Sequence, residues 1–186
     1  MIMWPKAKRA VCDTVAQQIA LAAKRGGAQA VGVFVDESAD TILARCAAAD
    51  IEIAQLHGDG ARAAAAALQS SDLQLMYVMH ATPSGDVQTA PPASPVDWVL
   101  VDGLQGGSGQ PLDWSRLQVP KHTSQGGWLL AGGLTPDNVM QAICTAQPTA
   151  VDVSSGVCGP DGLRKDVTRL AAFIKAVRDG GLALLK

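Results

Sequence analysis

An α/β fold built on a parallel sheet is predicted by two features of this 186-residue sequence. Short β-branched runs alternate with longer Ala/Leu-rich runs along the chain, and Gly-rich or polar clusters follow several of the short runs. Strands separated by helices and buried on both faces imply parallel pairing with right-handed crossovers. The clusters "QLHGDG", "VDGLQGGSGQ", "AGGLTP" and "VSSGVCG" are spread over many strand ends. That spread favours a closed (β/α)8 TIM barrel, whose site is assembled from all its βα loops. The alternative, an open doubly wound sheet, would concentrate its ligand loops at one switch point.

The elements follow in order as one domain over residues 1–186. A first strand is expected near residues 1–4. "AVGVFV" (30–35) reads as a buried strand, and "TILARCAAA" (41–49) as a helix capped by Ser38. "IEIAQL" (51–56) alternates as a strand, and "ARAAAAALQ" (61–69) returns to helix. "LQLMYVM" (73–79) and "DWVLV" (97–101) are strands, separated by the Pro-, Ser- and Gly-rich loop "HATPSGDVQTAPPASP". "WLLA" (128–131) is a strand, and "TPDNVMQAI" opens a helix with Thr135 as N-cap and Pro136 in the first turn. "AVDV" (150–153) is the last strand. "DVTRLAAFIKAV" (166–177) closes the chain as an amphipathic helix with Leu170, Phe173, Ile174 and Val177 on one face.

Composition narrows the function. Formal charge is −2 and the pI is near 5.8, so no basic face advertises nucleic acid or an anionic membrane. The apolar runs are broken well before the ~20 residues of a membrane span. "MIMWPKAKRA" does not read as a signal peptide, because its basic residues follow the apolar part rather than precede it. Cys12, Cys46, Cys144 and Cys158 form no CxxC pair and have no metal-like spacing with the three histidines. They read as reduced thiols, and no metal is expected.

The candidate site residues sit at strand ends. Barrels commonly bind phosphate in the loops after their last two strands, through backbone N–H groups and a helix N-terminus. Gly132 and Gly133 in one loop, and Ser154, Ser155 and Gly156 in the other, suit that role; turn closure and helix capping are the plainer uses of the same residues. "GGSG" (106–109) is a candidate mobile loop over a ligand. Asp102 ends a strand, where its carboxylate either faces the barrel mouth or caps a turn. Arg9 is able to fork onto a carboxylate, but spacing alone favours a solvated charge beside Lys6 and Lys8. His57 in "QLHG" is a candidate base or a structural hydrogen-bonding residue.

The motifs "GVFVD", "QLHG", "DWVLVD", "GGSG", "LDW", "LLAGGLTPDNV", "VDVSSGVCGPDG" and "RKD" come in the order and spacing of the phosphoribosylanthranilate isomerase family, which the chain resembles from Met1 to about Val177. "IMWPKAKRAV" and "CGPDG" look most like plant and algal members. The resemblance implies a (β/α)8 barrel of tryptophan biosynthesis. Its reaction is the Amadori rearrangement of N-(5′-phosphoribosyl)anthranilate to 1-(2-carboxyphenylamino)-1-deoxyribulose 5-phosphate. Asp102 is then the general acid on the furanose ring oxygen, and a cysteine removes the C2′ proton. Arg9 matches the arginine that meets the anthranilate carboxylate. Gly107, Gly132, Gly133, Ser154, Ser155 and Gly156 match the phosphate-side loops, with Gln55, His57 and Asp152 as supporting residues. An aldose-to-ketose shift needs an acid and a base but no cofactor.

The sequence departs from the family at its start. Members begin with a strand ending "K-I-C-G", whose cysteine is the base, whereas this chain begins at what matches the second strand. Cys12, expected near a helix N-terminus where thiol pKa falls, matches a position where relatives carry serine. The expectation is therefore seven of eight strands, without the first βα unit or the catalytic base. Three readings stay open: an isomerase barrel lacking its N-terminal unit, a non-catalytic barrel that binds a phosphorylated ligand, and a relative of indole-glycerol-phosphate synthase. The Arg9/Asp102 pair and "LVD…GGSG" argue against the third. A small phosphorylated substrate, no nucleic acid or membrane partner, and a monomer or homodimer are expected. The resemblance implies the plastid stroma, with the cytoplasm as the alternative.

Overall fold

Each apolar run forms a strand, and each strand pairs in parallel with the next one in the chain. The computed structural model describes residues 1–104, 112–121 and 124–181. Its sheet runs β1 (Val31–Phe34), β2 (Ile53–Leu56), β3 (Gln74–Ala81), β4 (Trp98–Gly103), β5 (Trp128–Leu130) and β6 (Ala150–Val151), in that spatial order. The β3–β4 ladder is the longest, from Met76↔Trp98 to Ala81↔Gly103. Residues 1–3 lie where a strand is expected at 1–4. Met3 N–H donates to the Val33 carbonyl at 2.9 Å, and Val33 N–H to the Met1 carbonyl at 2.9 Å, but only Ile2 completes a bridge with β1.

Side-chain alternation sorts the strands into two faces. On one face Ile53, Met76, Val78, Leu100, Leu129, Ala131 and Ala150 form a cluster made of strand-borne residues alone. On the other, Phe34, Ala54, Leu56, Leu75, Met79, Val99, Val101 and Leu130 pack against helices. Those helices are α1 (Asp13–Arg25), α2 (Ala39–Ala49), α3 (Asp59–Ala63), α4 (Ala65–Leu68), α5 (Val139–Ala146) and α6 (Val167–Asp179), and each places its buried residues in this second cluster. A doubly wound sheet carries helices on both faces. One helix-covered face and one face buried only by strands is the geometry of a barrel wall. The wall is not closed: among the described residues no strand pairing joins residues 1–3 to β6.

Several details differ from expectation. The helix expected at 61–69 is two short helices, α3 and α4, because Ala64 N–H bonds back to Ala61 rather than four residues back. Thr135 is not an N-cap: Asn138 Oδ1 accepts Thr135 N–H at 2.8 Å and closes a turn over Pro136, so α5 starts only at Val139. His80 and Ala81, expected in a loop, extend β3. On α6, Phe173 and Val177 are buried, but Leu170 is 38% exposed, because α6 meets α5 and the 155–157 turn on one flank only. The expected cap does form on α2, where Ser38 Oγ accepts from Thr41 N–H.

Candidate active site

The inward alternation that buries apolar residues deep in the wall turns polar at the carboxyl ends of the strands. After Ile53 come Gln55 and His57; after Val78 comes His80; after Leu100 comes Asp102; after Ala150 comes Asp152. Gln55 is the single buried polar residue among those described, and its Nε2 donates to Met76 Sδ at 3.2 Å. The expected site residues from β2, β4 and β6 thus share one rim.

Asp102 lies near the carboxyl end of β4, half-buried. Burial lifts its carboxyl above the ordinary carboxylate range, and the Gly103 N–H, which donates to Oδ1 at 2.7 Å, only partly offsets this. Asp152 is lifted too, first by burial and then by the charge of Asp102; Lys165 and His57 pull it back. Gly132 seals this corner. Its φ is +87°, and a Cβ there would stand 2.8 Å from Gly103 N and 3.1 Å from Asp102 Oδ1. Its missing side chain therefore lets the β5 loop close onto the acid.

The last two loops pack against each other. At Gly156 a Cβ would fall 1.8 Å from the Leu134 carbonyl oxygen, so the "SSG" loop touches the "AGGLTP" loop through bare backbone. Gly133 has φ +65°, and its carbonyl accepts from Asn138 Nδ2 at 3.0 Å. Ser155 opens a 3-10 turn (Ser155–Val157). Arg9 crosses from the other edge of the sheet, and its Nη1 donates to Ser154 Oγ at 2.7 Å, while Lys165 Nζ donates to the Ser154 carbonyl at 2.7 Å. Arg9 is therefore not the solvated charge that spacing alone favours. Gly107 and the rest of "GGSG" lie outside the described residues.

The four cysteines stand away from the inner wall. Cys12 is the exposed N-cap residue of α1, and Cys144 is exposed on α5. Cys46 lies in the helix-packed core, where burial pushes its thiol up to about 12. Cys158 is buried with Sγ donating to the Ser154 carbonyl at 3.4 Å.

Sequence reasoning missed His80 and Arg62. His80 Nε2 is 3.4 Å from His57 Nε2, and Arg62 Nη1 donates to the His57 carbonyl at 2.6 Å. Both left a trace: His80 continues the alternation of Met76 and Val78, and Arg62 is a lone cation in an alanine run.

A parallel sheet with all its described helices on one face and strand-borne packing on the other defines the wall of a (β/α)-barrel protein. Residues 1–176 match the family model described as "N-(5'phosphoribosyl)anthranilate (PRA) isomerase", and the chain belongs to that family. It is 43% identical over 181 residues to N-(5'-phosphoribosyl)anthranilate isomerase 1, chloroplastic, of Arabidopsis thaliana, covering 96% of this chain and 66% of that protein. The chain thus spans just under two thirds of the length of that plant relative. It is 36% identical to the isomerase of Chlamydia caviae, covering 97% of this chain and 86% of that one. Among solved structures it resembles monomers generated from the dimeric phosphoribosylanthranilate isomerase of Thermotoga maritima (TM-score 0.72, 26% identity, 96% and 85% covered). It also resembles a complex of phosphoribosyl anthranilate isomerase with reduced 1-(o-carboxyphenylamino)-1-deoxyribulose 5-phosphate (TM-score 0.68, 26% identity, 96% and 86% covered).

Proposed function

We propose that this chain provides the acid, carboxylate and phosphate sites of a phosphoribosylanthranilate isomerase of tryptophan biosynthesis. The observation that carries the reading is Asp102, half-buried near the end of a central strand with its pKa raised. Its proton goes to the furanose ring oxygen of N-(5′-phosphoribosyl)anthranilate as the C1′–O bond breaks, and the anilino nitrogen supplies the electron pair for the iminium. Loss of the C2′ proton to a base gives an enolamine, which tautomerises to the aminoketone. Acid and base suffice, with no metal or cofactor. Arg9, steadied by Ser154, meets the anthranilate carboxylate. Phosphate binds between the 131–133 and 154–156 loops. Gln55, His57 and Asp152 support the site.

The base is the part that the described residues leave unassigned, since no cysteine among them lines the inner wall. The family resemblance puts it on a strand that would fill the seam between residues 1–3 and β6. That same observation favours a second reading, a non-catalytic barrel that binds a phosphorylated ligand. Activity assays on the chain, on the chain extended by a family-like first strand and helix, and on that extended chain with its new cysteine changed to serine separate the two. Activity is expected only in the second protein. Within it, Asp102→Asn should lower kcat by ~10²–10⁴-fold and leave binding of the reduced product analogue intact. A fully active Asp102→Asn enzyme removes this residue from the mechanism. By likeness to the chloroplastic relatives and the dimeric bacterial one, we place the protein in the plastid stroma, as monomer or homodimer.

A further inference from the structure

His57 and His80 meet edge to face at the rim, with ring centroids 4.9 Å apart and the two Nε2 atoms 3.4 Å apart. Such a contact is favourable only when one nitrogen carries the proton and the other the lone pair. A third group decides which. The Arg62 side chain is 10% exposed, and Nη2 pairs with Asp59 Oδ1 at 2.5 Å. Its Nη1 bonds the carbonyls of His57 and Val78 at 2.6 and 3.3 Å and approaches His80 Nδ1 to 3.5 Å. A guanidinium has only donors, so His80 turns a lone pair at Nδ1 towards it and keeps its proton on Nε2. Burial, followed by the charges of His57 and Arg62, brings the His80 pKa down to about 4, so the ring is neutral at pH 7.

The consequence passes to His57. Receiving the His80 proton at Nε2, and itself held neutral first by burial and then by Arg62, His57 must carry its own hydrogen on Nδ1. That nitrogen is buried and has no hydrogen-bond partner among the described residues. A buried donor without an acceptor is costly to maintain, and such groups recur where a ligand supplies the missing partner.

We propose that His80, oriented by Arg62, is a positioning residue that fixes His57 as the Nδ1–H tautomer and so reserves a buried donor for an anionic oxygen of the substrate. The tautomer follows from the nitrogen contacts of two neutral rings; the substrate contact rests on the isomerase reading. The oxygen belongs to the carboxylate or to the phosphate.

Long-range nitrogen–proton correlation spectra of the 15N-labelled chain at pH 7 read the tautomers directly, since the chain holds three histidines. His57 is expected protonated at Nδ1 and His80 at Nε2; the opposite pattern in the wild-type chain overturns the proposal without recourse to any variant. His80→Gln keeps a side-chain donor and should preserve the His57 tautomer. His80→Leu removes the donor and should move His57 towards the Nε2–H form, and an unmoved His57 overturns the positioning role. Anthranilate and inorganic phosphate, added separately, should shift the His57 Nδ1–H signal with one and not the other, naming the oxygen; a signal indifferent to both overturns the ligand contact. Binding of the reduced product analogue should weaken about tenfold in His80→Leu and recover in His80→Gln. Equal affinity in all three chains also overturns the contact. If the wild-type chain does not bind the analogue at all, the isomerase reading fails while the tautomer stands on its spectrum.

Discussion

The middle of the sheet and its seam are held in different ways. Between β3 and β4 six residue pairs lie in register and both faces are buried, with Val78, Met79, Val99 and Val101 fully enclosed. Across the seam between the N-terminal segment and the β6 end of the sheet, the hydrogen bond described is a side-chain one, from Arg9 to the Ser154 hydroxyl. The helices flanking the seam keep apolar residues in solvent, Val15 and Ile19 on α1 and Val167 and Leu170 on α6. Asp102 and the two histidines stand on the rigid side, while Arg9 and the 154–156 loop stand on the compliant one. Under the proposed function, proton donation is built into the wall and anion binding depends on how well the seam is drawn together.

Substitution can widen or erase that contrast. Leu130→Ala, in the fully buried ladder, should cost about 2–5 kcal/mol in urea-monitored stability. A loss under about 1 kcal/mol would mean that the middle is as loose as the seam. Gly156→Ala forces a methyl group into the Leu134 carbonyl and should cost about 1–3 kcal/mol while weakening binding of the reduced product analogue. Unchanged affinity would move the phosphate site away from these loops.

Acidity probes the rigid side through its histidines. His57 and His80 have folded pKa values below their ordinary 6.5, so the folded state refuses protons that the unfolded state takes up. Their stabilising contribution is complete above 6.5 and is lost as pH falls towards the His80 value of about 4. Asp102 and Asp152, raised in the folded state, work with the opposite sign and gain stability as they protonate. Denaturation midpoints at pH 7 and pH 5 should therefore fall less in His80→Gln than in wild type. An identical pH dependence would show that folded His80 takes up its proton as readily as the unfolded chain does. The smallest effect is expected at the seam, where Arg9→Gln should change stability by less than about 1 kcal/mol, as exposed polar pairs do, yet weaken binding of anthranilate.

Strand order and the inward-facing acid were legible because period-2 alternation and β-branched runs report burial directly. Asp102 and Asp152 both sit two residues past a buried apolar position, a pattern that survives without knowledge of the fold. Helix α1 was harder to read, since its buried face is only Ala16 and Ala20 while Val15, Ile19 and Leu21 are exposed, which reverses the usual signal. Thr135 followed by Pro136 is a sound helix start by local chemistry, but the Asn138 side chain accepts Thr135's own N–H in a turn that precedes the helix. Gly132 shows a different limit. Sequence marked it as an anion contact, and its close approach to Asp102 comes from a neighbouring strand that spacing along the chain does not reveal.

The reach of individual contacts along the chain gives the seam a kinetic meaning. Gln55 and Met76 meet across 21 residues, and Leu75 meets Asp97 across 22, whereas Arg9 and Ser154 meet across 145. Closing the longer loop costs roughly 1.7 kcal/mol more chain entropy than closing the shorter ones. Neighbouring strands are therefore free to zip in succession as near-local events, and the two ends of the wall come together after them. A ligand that ties Arg9 to the serine loop would act as the clasp of that last step, so its arrival and the final act of folding would be the same event.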